Sequence, residues 1–118
     1  MARDPRQILD DFVGGLKEVQ KTNGEQVRSF MSFLGSMYKP GSLDLKAKEL
    51  ISIGISIHNR CEYCIVYHVH NALQAKATRQ EIMEAAMVAV ALGGGPSMAY
   101  SVSLLKQAID TFEPDFSS

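Results

Sequence analysis

Both cysteines of the chain lie in one short stretch, ELISIGISIHNRCEYCIVYH, which runs from residue 49 to residue 68. Cys61 and Cys64 are separated by two residues. Glu49 lies twelve residues before the first cysteine, and His68 follows the second by four. Side chains four residues apart on a helix are neighbours, so the imidazole of His68 would lie beside the thiol of Cys64. We therefore predict a reactive site made of two thiols, an imidazole and a carboxylate.

This combination of side chains predicts two-electron thiol chemistry. A helix N-terminus favours the thiolate form of a cysteine, and His68 could accept or relay the proton of Cys64. A thiolate that attacks a peroxide becomes a sulfenic acid, which a second thiol nearby converts to a disulfide. Cys61 is placed for that step. A dithiol donor would then reopen the bond by thiol–disulfide exchange, with no cofactor required.

Two other interpretations of the cysteine pair stay open. Unpaired cysteines are often inert core residues. The C-x2-C-x3-H spacing also supplies three soft ligands for zinc, which Glu49 or His58 could complete. Structural zinc sites usually take their ligands from two separated pairs, and this sequence has no second C-x-x-C or H-x-x-x-H. We therefore favour a redox dithiol and assign no metal.

The carboxylate and the remaining histidines allow more than one placement. A lone glutamate at the amphipathic start of a helix is commonly solvated. Glu49 precedes an apolar run, however, so its side chain could point into the core and act as a base. His70 falls off the face that carries Cys64 and His68, and we expect it on the surface or at an interface. His58 lies near the turn before the cysteines, where it could line the site, although solvent exposure is expected.

The composition is that of one soluble, globular domain spanning residues 1–118. Hydrophobic residues make up 46% of the chain and charged residues 21%, which is enough for a single core. The formal net charge is −1 and no basic run occurs, so neither nucleic acid nor a membrane surface is an expected partner. The N-terminus, MARDPRQILDD, has no apolar core and predicts a cytoplasmic protein. Thiols stay reduced in that compartment, which favours a redox pair over a structural disulfide.

The hydrophobic pattern predicts an all-α fold, a helical bundle of about six helices. The first two, near residues 8–19 and 27–38, each carry an apolar stripe that we expect to be buried. Residues 51–57 alternate isoleucine with serine or glycine, as a half-buried strand would. We nevertheless predict a helix over 43–59, because LDLKAKELI is made of strong helix formers and no other segment could pair with a strand.

The second half of the chain continues this helical pattern. The cysteine helix is expected over residues 60–77, and a capping box from Thr78 to Glu81 opens the fifth helix. Residues 93–95 are glycines that should end that helix, and Pro96 suits the start of the last one, which we expect to stop before Pro114. The third, fifth and sixth helices are apolar on more than one face. One chain of this size cannot cover that surface, so we predict a homo-oligomer.

The spacing E-x11-C-x2-C-x3-H, formed by Glu49, Cys61, Cys64 and His68, resembles the signature of the alkylhydroperoxidase D-like proteins, which belong to the carboxymuconolactone decarboxylase family. The segment LDLKAKELISIGISIHNRCEYCIVYHVHNAL is similar to the core block of that family. TRQEIMEAAMVAVALGGGPSMAYS is similar to the helix and turn that follow it. The resemblance covers about residues 25–110.

The resemblance implies an all-helical subunit assembled into homotrimers or homohexamers, with the site near a subunit interface. It implies weak peroxidase or disulfide reductase activity on a hydroperoxide or disulfide substrate, with electrons from a dithiol or lipoyl-type reductant. Cys64 would be the thiol oxidised to sulfenic acid, and Cys61 the proton donor and resolving thiol. Glu49 and His68 would form the proton relay.

Two departures within the family bear on the activity. The best-known peroxidase member carries a histidine between its cysteines, where this chain has Tyr63, so one relay group is absent. The decarboxylase that names the family lacks the cysteine pair. Retention of both cysteines points away from lactone decarboxylation, which remains the alternative at the level of fold. Tyr63 and Tyr67 flank Cys64; we interpret both as packing residues, and Tyr67 also as a pocket wall.

Overall fold

Most of residues 4–117, the part of the chain that the computed structural model describes, is helical. The first five helices are α1 (Pro5–Gln20), α2 (Gly24–Tyr38), α3 (Leu45–Asn59), α4 (Glu62–Gln74) and α5 (Arg79–Gly93). A last rod consists of α6 (Gly95–Tyr100), a π-helical turn (Ser101–Leu105) and α7 (Lys106–Phe116). The described residues contain no β-strand, which confirms the predicted all-α fold. No helix within them has the length and apolar character that crossing a membrane would require.

The segment of alternating isoleucines is helical, as predicted. Asp44 caps α3 by accepting the backbone N–H three residues on, at 2.8 Å. Ile53 and Ile57 are fully buried, whereas Ile51 and Ile55, on another face, are 50% and 56% exposed. Residues four apart share a face of a helix, so the alternation in sequence separates into one buried and one exposed row.

The junction between α3 and α4 differs from the prediction. Arg60 follows the end of α3 with a left-handed backbone (φ 55°), and the N–H of Cys61 donates to the carbonyl of Ser56 at 3.2 Å. Helix α4 begins at Glu62, with Cys61 as its N-cap. The predicted span of 60–77 is therefore wrong at both ends. A left-handed residue cannot continue a right-handed helix, so Cys61 lies before α4 and not within it.

One hydrophobic core holds the helices together, with α4 at its centre. Helix α4 packs against α1, α3 and the last rod, and α3 packs along α5. The fully buried side chains of this core include Ile53, Ile57, Ile65, Val66, Val69, Ile82, Ile109 and Phe112. The helix that carries Cys64 and His68 is therefore fixed by neighbours on several sides.

The last rod departs from the prediction in two ways. One uninterrupted helix ending before Pro114 was expected from the sequence, but a π-helical turn interrupts the rod and α7 continues to Phe116. The ring of Phe116 packs against His70, with centroids 5.1 Å apart. Arg6 donates to the carboxylate of Asp115 at 3.0 Å. These contacts with α4 and α1 hold the last turn in place despite the hydrogen bond that proline removes.

The apolar stripe of α2 is not buried, contrary to the prediction. No residue of α2 is buried, and Phe30 and Met37 are each 51% exposed. In α1, burial is confined to Pro5 and Ile8. The core is already filled by α3, α4, α5 and the last rod, so it offers α2 only an edge. The stripe of α2 forms instead one side of a groove.

Helix α5 begins with the predicted capping box. The hydroxyl of Thr78 accepts the N–H of Glu81 at 3.1 Å, and the carboxylate of Glu81 accepts the N–H of Thr78 at 2.8 Å. Lys46 of α3 donates to the same carboxylate at 2.9 Å. The N–H of Thr78 and the ammonium of Lys46 lower the pKa of Glu81. This corner joins the start of α3 to the start of α5.

Replacing Thr78 with alanine should lower the free energy of unfolding by about 1 kcal/mol, because the first turn of α5 loses the acceptor for the N–H of Glu81. Urea unfolding followed by circular dichroism measures the change. The matched control is Thr78→Ser, which keeps the hydroxyl and should unfold close to the parent protein. Equal stability of the alanine and serine variants would show that the cap contributes nothing.

Candidate active site

Glu49 and His68 form a hydrogen-bonded pair inside the molecule. The Nδ1 atom of His68 on α4 lies 2.7 Å from Oε1 of Glu49 on α3. The two side chains are 15% and 6% exposed, respectively. An ionised carboxylate only accepts hydrogen bonds, so with Glu49 ionised Nδ1 is the donor of this bond and Nε2 is free for other partners. Of the two placements considered for Glu49, the inward one is confirmed.

Cys61 and Cys64 are joined by a disulfide. Their Cα atoms are 5.2 Å apart, within the range that a disulfide spans without backbone movement. The Sγ atom of Cys61 also accepts the backbone N–H of Cys64 at 3.3 Å, which makes Cys61 the N-cap of α4. The fold thus brings the two sulfurs together at the start of one helix.

A groove of about 460 Å³ opens beside this pair, and we call it the cysteine groove. Cys64, His68 and Glu49 line it together. Most of its remaining lining is apolar or aromatic and comes from α1, α2 and α4: Phe12, Phe30, Met31, Leu34, Tyr38 and Tyr67. The prediction that Tyr67 forms a pocket wall is confirmed. Among the described residues, Cys64 is the cysteine that faces this groove.

Two tyrosines restrict the imidazole of His68. The ring of Tyr38 stacks on it with centroids 5.7 Å apart, and Tyr67 packs edge-on at 5.2 Å. The hydroxyl of Ser52 donates to the carbonyl of Lys48 at 2.9 Å, so its one proton is used and the hydroxyl of Tyr38 donates to Ser52. Sequence reasoning missed Tyr38 because it lies on another helix, thirty residues before His68, and no local pattern connects the two.

Lys48 anchors the C-terminal end of α2 near the site. Its Nζ atom donates to the carbonyl of Met37 at 3.0 Å and to that of Lys39 at 2.6 Å. Carbonyls at a helix C-terminus lack partners within the helix and favour a cation. Met37 and Lys39 are the chain neighbours of Tyr38, so Lys48 helps to hold Tyr38 over His68. Lys48 also directly precedes Glu49, so one turn of α3 both supplies the carboxylate and positions Tyr38.

The other histidines lie away from the cysteine groove. His58 is exposed at the end of α3 and lines a second groove, between α3 and α5. His70 is partly buried and packs edge-on against Phe112, with centroids 5.2 Å apart. Tyr63, between the two cysteines, is 42% exposed and its ring lies 6.4 Å from that of Phe12.

The arrangement does not match the zinc site considered from the sequence. Within residues 4–117, no three histidine, cysteine, aspartate or glutamate side chains cluster closely enough to hold a metal ion. Glu49 is paired with His68, and His58 lies in the other groove. Neither residue is therefore placed to complete a tetrahedron with the cysteines.

Comparisons with known sequences identify the family. Residues 25–107 match the model of the carboxymuconolactone decarboxylase family. The chain is 30% identical to an uncharacterised protein of Cupriavidus necator, over 65% of this chain and 68% of that protein. It is 29% identical to an uncharacterised protein of the cox locus of Paracoccus denitrificans, over 73% of this chain and 78% of that protein.

Two crystal structures share the fold. A carboxymuconolactone decarboxylase family protein from Legionella pneumophila, in its apo form, matches with a TM-score of 0.88 and 32% identity, over 95% of this chain and 99% of that chain. Another, from Thermotoga maritima, for which involvement in the antioxidative response has been suggested, matches with a TM-score of 0.73 and 28% identity, over 92% and 96% of the respective chains. The chain therefore belongs to the carboxymuconolactone decarboxylase family, which is consistent with its resemblance to the alkylhydroperoxidase D-like proteins.

Proposed function

We propose that this protein is a thiol-dependent peroxidase, or more broadly a disulfide oxidoreductase, that works through Cys61 and Cys64. The observation that carries the proposal is the disulfide at the edge of a groove that also holds the paired His68 and Glu49. Proteins of this family are often enzymes, either decarboxylases or peroxidase-like proteins. The antioxidative role suggested for the Thermotoga maritima relative supports the same chemistry.

In this proposal Cys64 is the thiol that reacts with the peroxide. His68, one turn along α4, takes the proton of the Cys64 thiol. The thiolate attacks the terminal oxygen of a hydroperoxide ROOH, the O–O bond breaks, and RO⁻ takes the proton from His68 to leave as the alcohol ROH. Two electrons pass to the peroxide, and Cys64 becomes a sulfenic acid.

Cys61 is the resolving thiol. Its sulfur attacks the sulfenic sulfur of Cys64, the S–O bond breaks, and the hydroxyl group leaves as water with the proton of Cys61. The 5.2 Å separation of the Cα atoms allows this step without backbone rearrangement. Two electrons from a dithiol or lipoyl-type reductant then restore both thiols.

Glu49 and His68 are the proton relay of the cycle. When His68 holds the proton of Cys64 it is positively charged, and the carboxylate 2.7 Å away stabilises that form. Tyr38 and Tyr67 keep the ring oriented while it gains and loses the proton. The scheme requires no cofactor, since every group that moves a proton or an electron pair belongs to the chain, the peroxide or the donor.

The cysteine groove favours an organic hydroperoxide with an apolar substituent. Its walls are largely aromatic and aliphatic, and burying such apolar surface against an apolar substituent is favourable. Tyr63 cannot relay protons as a histidine in that position would, so modest turnover is expected. The same dithiol could act on a disulfide substrate. A reducing compartment such as the cytoplasm suits either cycle, because the donor must stay reduced.

We also propose that the chain forms homotrimers or homohexamers. Helices α3 and α5 present an apolar face, which includes Ile51, Ile55, Val88 and Leu92 and surrounds a groove of about 520 Å³. The side chain of Leu92 is 82% exposed on the single chain. Contiguous apolar patches of this kind mark interfaces between proteins.

One equivalent of cumene hydroperoxide should convert the reduced protein to the intramolecular disulfide. Intact-mass spectrometry should show the loss of two hydrogens. Cys64→Ser should abolish trapping of a sulfenic acid by dimedone, whereas Cys61→Ser should let the sulfenic acid accumulate. Two thiols that persist after the treatment would refute the proposal, and the opposite trapping pattern would exchange the two roles.

Substitution of the relay should slow the reaction with peroxide but not prevent folding. His68→Gln should reduce the second-order rate constant about a hundredfold, and Glu49→Gln about tenfold, because proton transfer from Cys64 loses its acceptor or that acceptor's counter-charge. Stopped-flow consumption of cumene hydroperoxide measures both. Glu84→Gln, an exposed change on α5, is the control and should react like the parent protein. Unchanged rates in the His68 variant would remove that residue from the mechanism.

Size-exclusion chromatography with light scattering should give the mass of a trimer or hexamer at micromolar concentration. Ile55→Glu places a charge in the centre of the apolar face and should shift the mass towards the monomer. Gln20→Glu adds the same charge at the exposed end of α1 and should leave the mass unchanged. A monomeric parent protein would refute the assembly.

A further inference from the structure

The two sulfurs of the disulfide have different surroundings. Cys64 lies on α4 and lines the cysteine groove with His68. Cys61 precedes the helix, and its sulfur accepts the N–H of Cys64 at 3.3 Å. A molecule that enters the groove therefore contacts Cys64. The sulfur of Cys61 instead accepts a backbone hydrogen bond.

This difference matters when a thiol opens the bond. In thiol–disulfide exchange the attacked sulfur forms a new bond and the other sulfur leaves as a thiolate, faster when that thiolate is better stabilised. A thiolate at a helix N-terminus is stabilised by the helix dipole and by N–H groups. Cys61 has this position, whereas Cys64 lies within the first turn and donates its own N–H to Cys61.

Charged side chains next to Cys61 do not reverse this preference. Its chain neighbours, Arg60 and Glu62, are both exposed and have opposite charges. Solvent screens exposed charges, so their effects on a thiolate at Cys61 are small and oppose one another. The hydrogen bond from the N–H of Cys64 therefore favours Cys61 as the leaving group, while the groove presents Cys64, beside His68, to the attacking thiol.

We propose that the electron donor attacks Cys64 and displaces Cys61, an inference that rests on the proposed dithiol function. The donor thiol gives its proton to solvent, and its thiolate attacks the Sγ atom of Cys64. The bond between Cys61 and Cys64 breaks, and Cys61 leaves with the electron pair as a thiolate. The donor is now bound to Cys64 as a mixed disulfide. The second thiol of a dithiol donor attacks the donor sulfur and releases Cys64, which His68 can protonate.

The regiochemistry can be read directly from the parent protein. Protein oxidised with diamide is mixed with glutathione, and each time point is quenched with excess N-ethylmaleimide. Trypsin then cleaves after Arg60 and Lys76, so both cysteines are recovered in one peptide. Fragmentation of that peptide shows which sulfur holds glutathione and which holds maleimide. At the earliest times, glutathione on Cys64 with maleimide on Cys61 should exceed the reverse isomer about tenfold.

The same oxidised protein unfolded in urea is the control. Without the helix and the groove, the two sulfurs have nearly equivalent surroundings, so the two isomers should form in similar amounts. Equal amounts from the folded protein, or an excess of glutathione on Cys61, extrapolated to zero time, would overturn the proposal. The disulfide is made here without peroxide, so the result is independent of whether the protein reduces hydroperoxides.

Discussion

The structure depends on the pairing of a carboxylate that has been removed from water. Burying an ionised carboxylate without a partner is costly, and the Nδ1–H of His68, 2.7 Å from Glu49, provides the partner. The two residues belong to consecutive helices, so the bond fixes the position of α4 along the axis of α3. Cys64 is one turn from His68, and its position beside the relay follows from the same register.

The rest of the site follows from the short junction between these helices. Arg60 in its left-handed conformation ends α3, and α4 begins two residues later. This leaves Cys61 with extended backbone at the N-cap, where its sulfur accepts an N–H of the first turn. Helix α2 adds the opposite wall, held by Lys48 and by the hydrogen bond between Tyr38 and Ser52. Helices α3 and α4 thus supply the reactive side chains, and α1 and α2 complete the walls of the groove.

Local signals in the sequence predicted the parts of the fold that local interactions determine. The capping box at Thr78 was identified from residue types alone, and α5 does end at the predicted glycines, with Gly94 at a positive φ of 68°. The spacing of Cys61, Cys64 and His68 likewise predicted a common site. The helical nature of α3 required the further argument that a lone strand would have no pairing partner.

Features that depend on competition for the core could not be predicted in this way. The apolar stripe of α2 has the spacing of a buried one, but periodicity does not reveal that other helices already fill the core. The last helix was predicted to end before Pro114 because proline usually ends a helix. That prediction was wrong because the contact between Phe116 and His70, which stabilises the last turn, cannot be read from the local sequence. Tyr38 belongs to the site only because it packs on His68 in the tertiary structure. The left-handed conformation at Arg60 could not be predicted either, because no glycine occupies that position.

The closeness in sequence of the two cysteines has a consequence for the whole molecule. A cross-link constrains an unfolded chain less as the loop that it closes becomes shorter, and here the loop spans only residues 61–64. Formation of this disulfide should therefore change the free energy of unfolding only slightly. The reduced and oxidised forms of the protein differ covalently only at the first turn of α4. A partner that distinguishes the two forms therefore has to contact that turn.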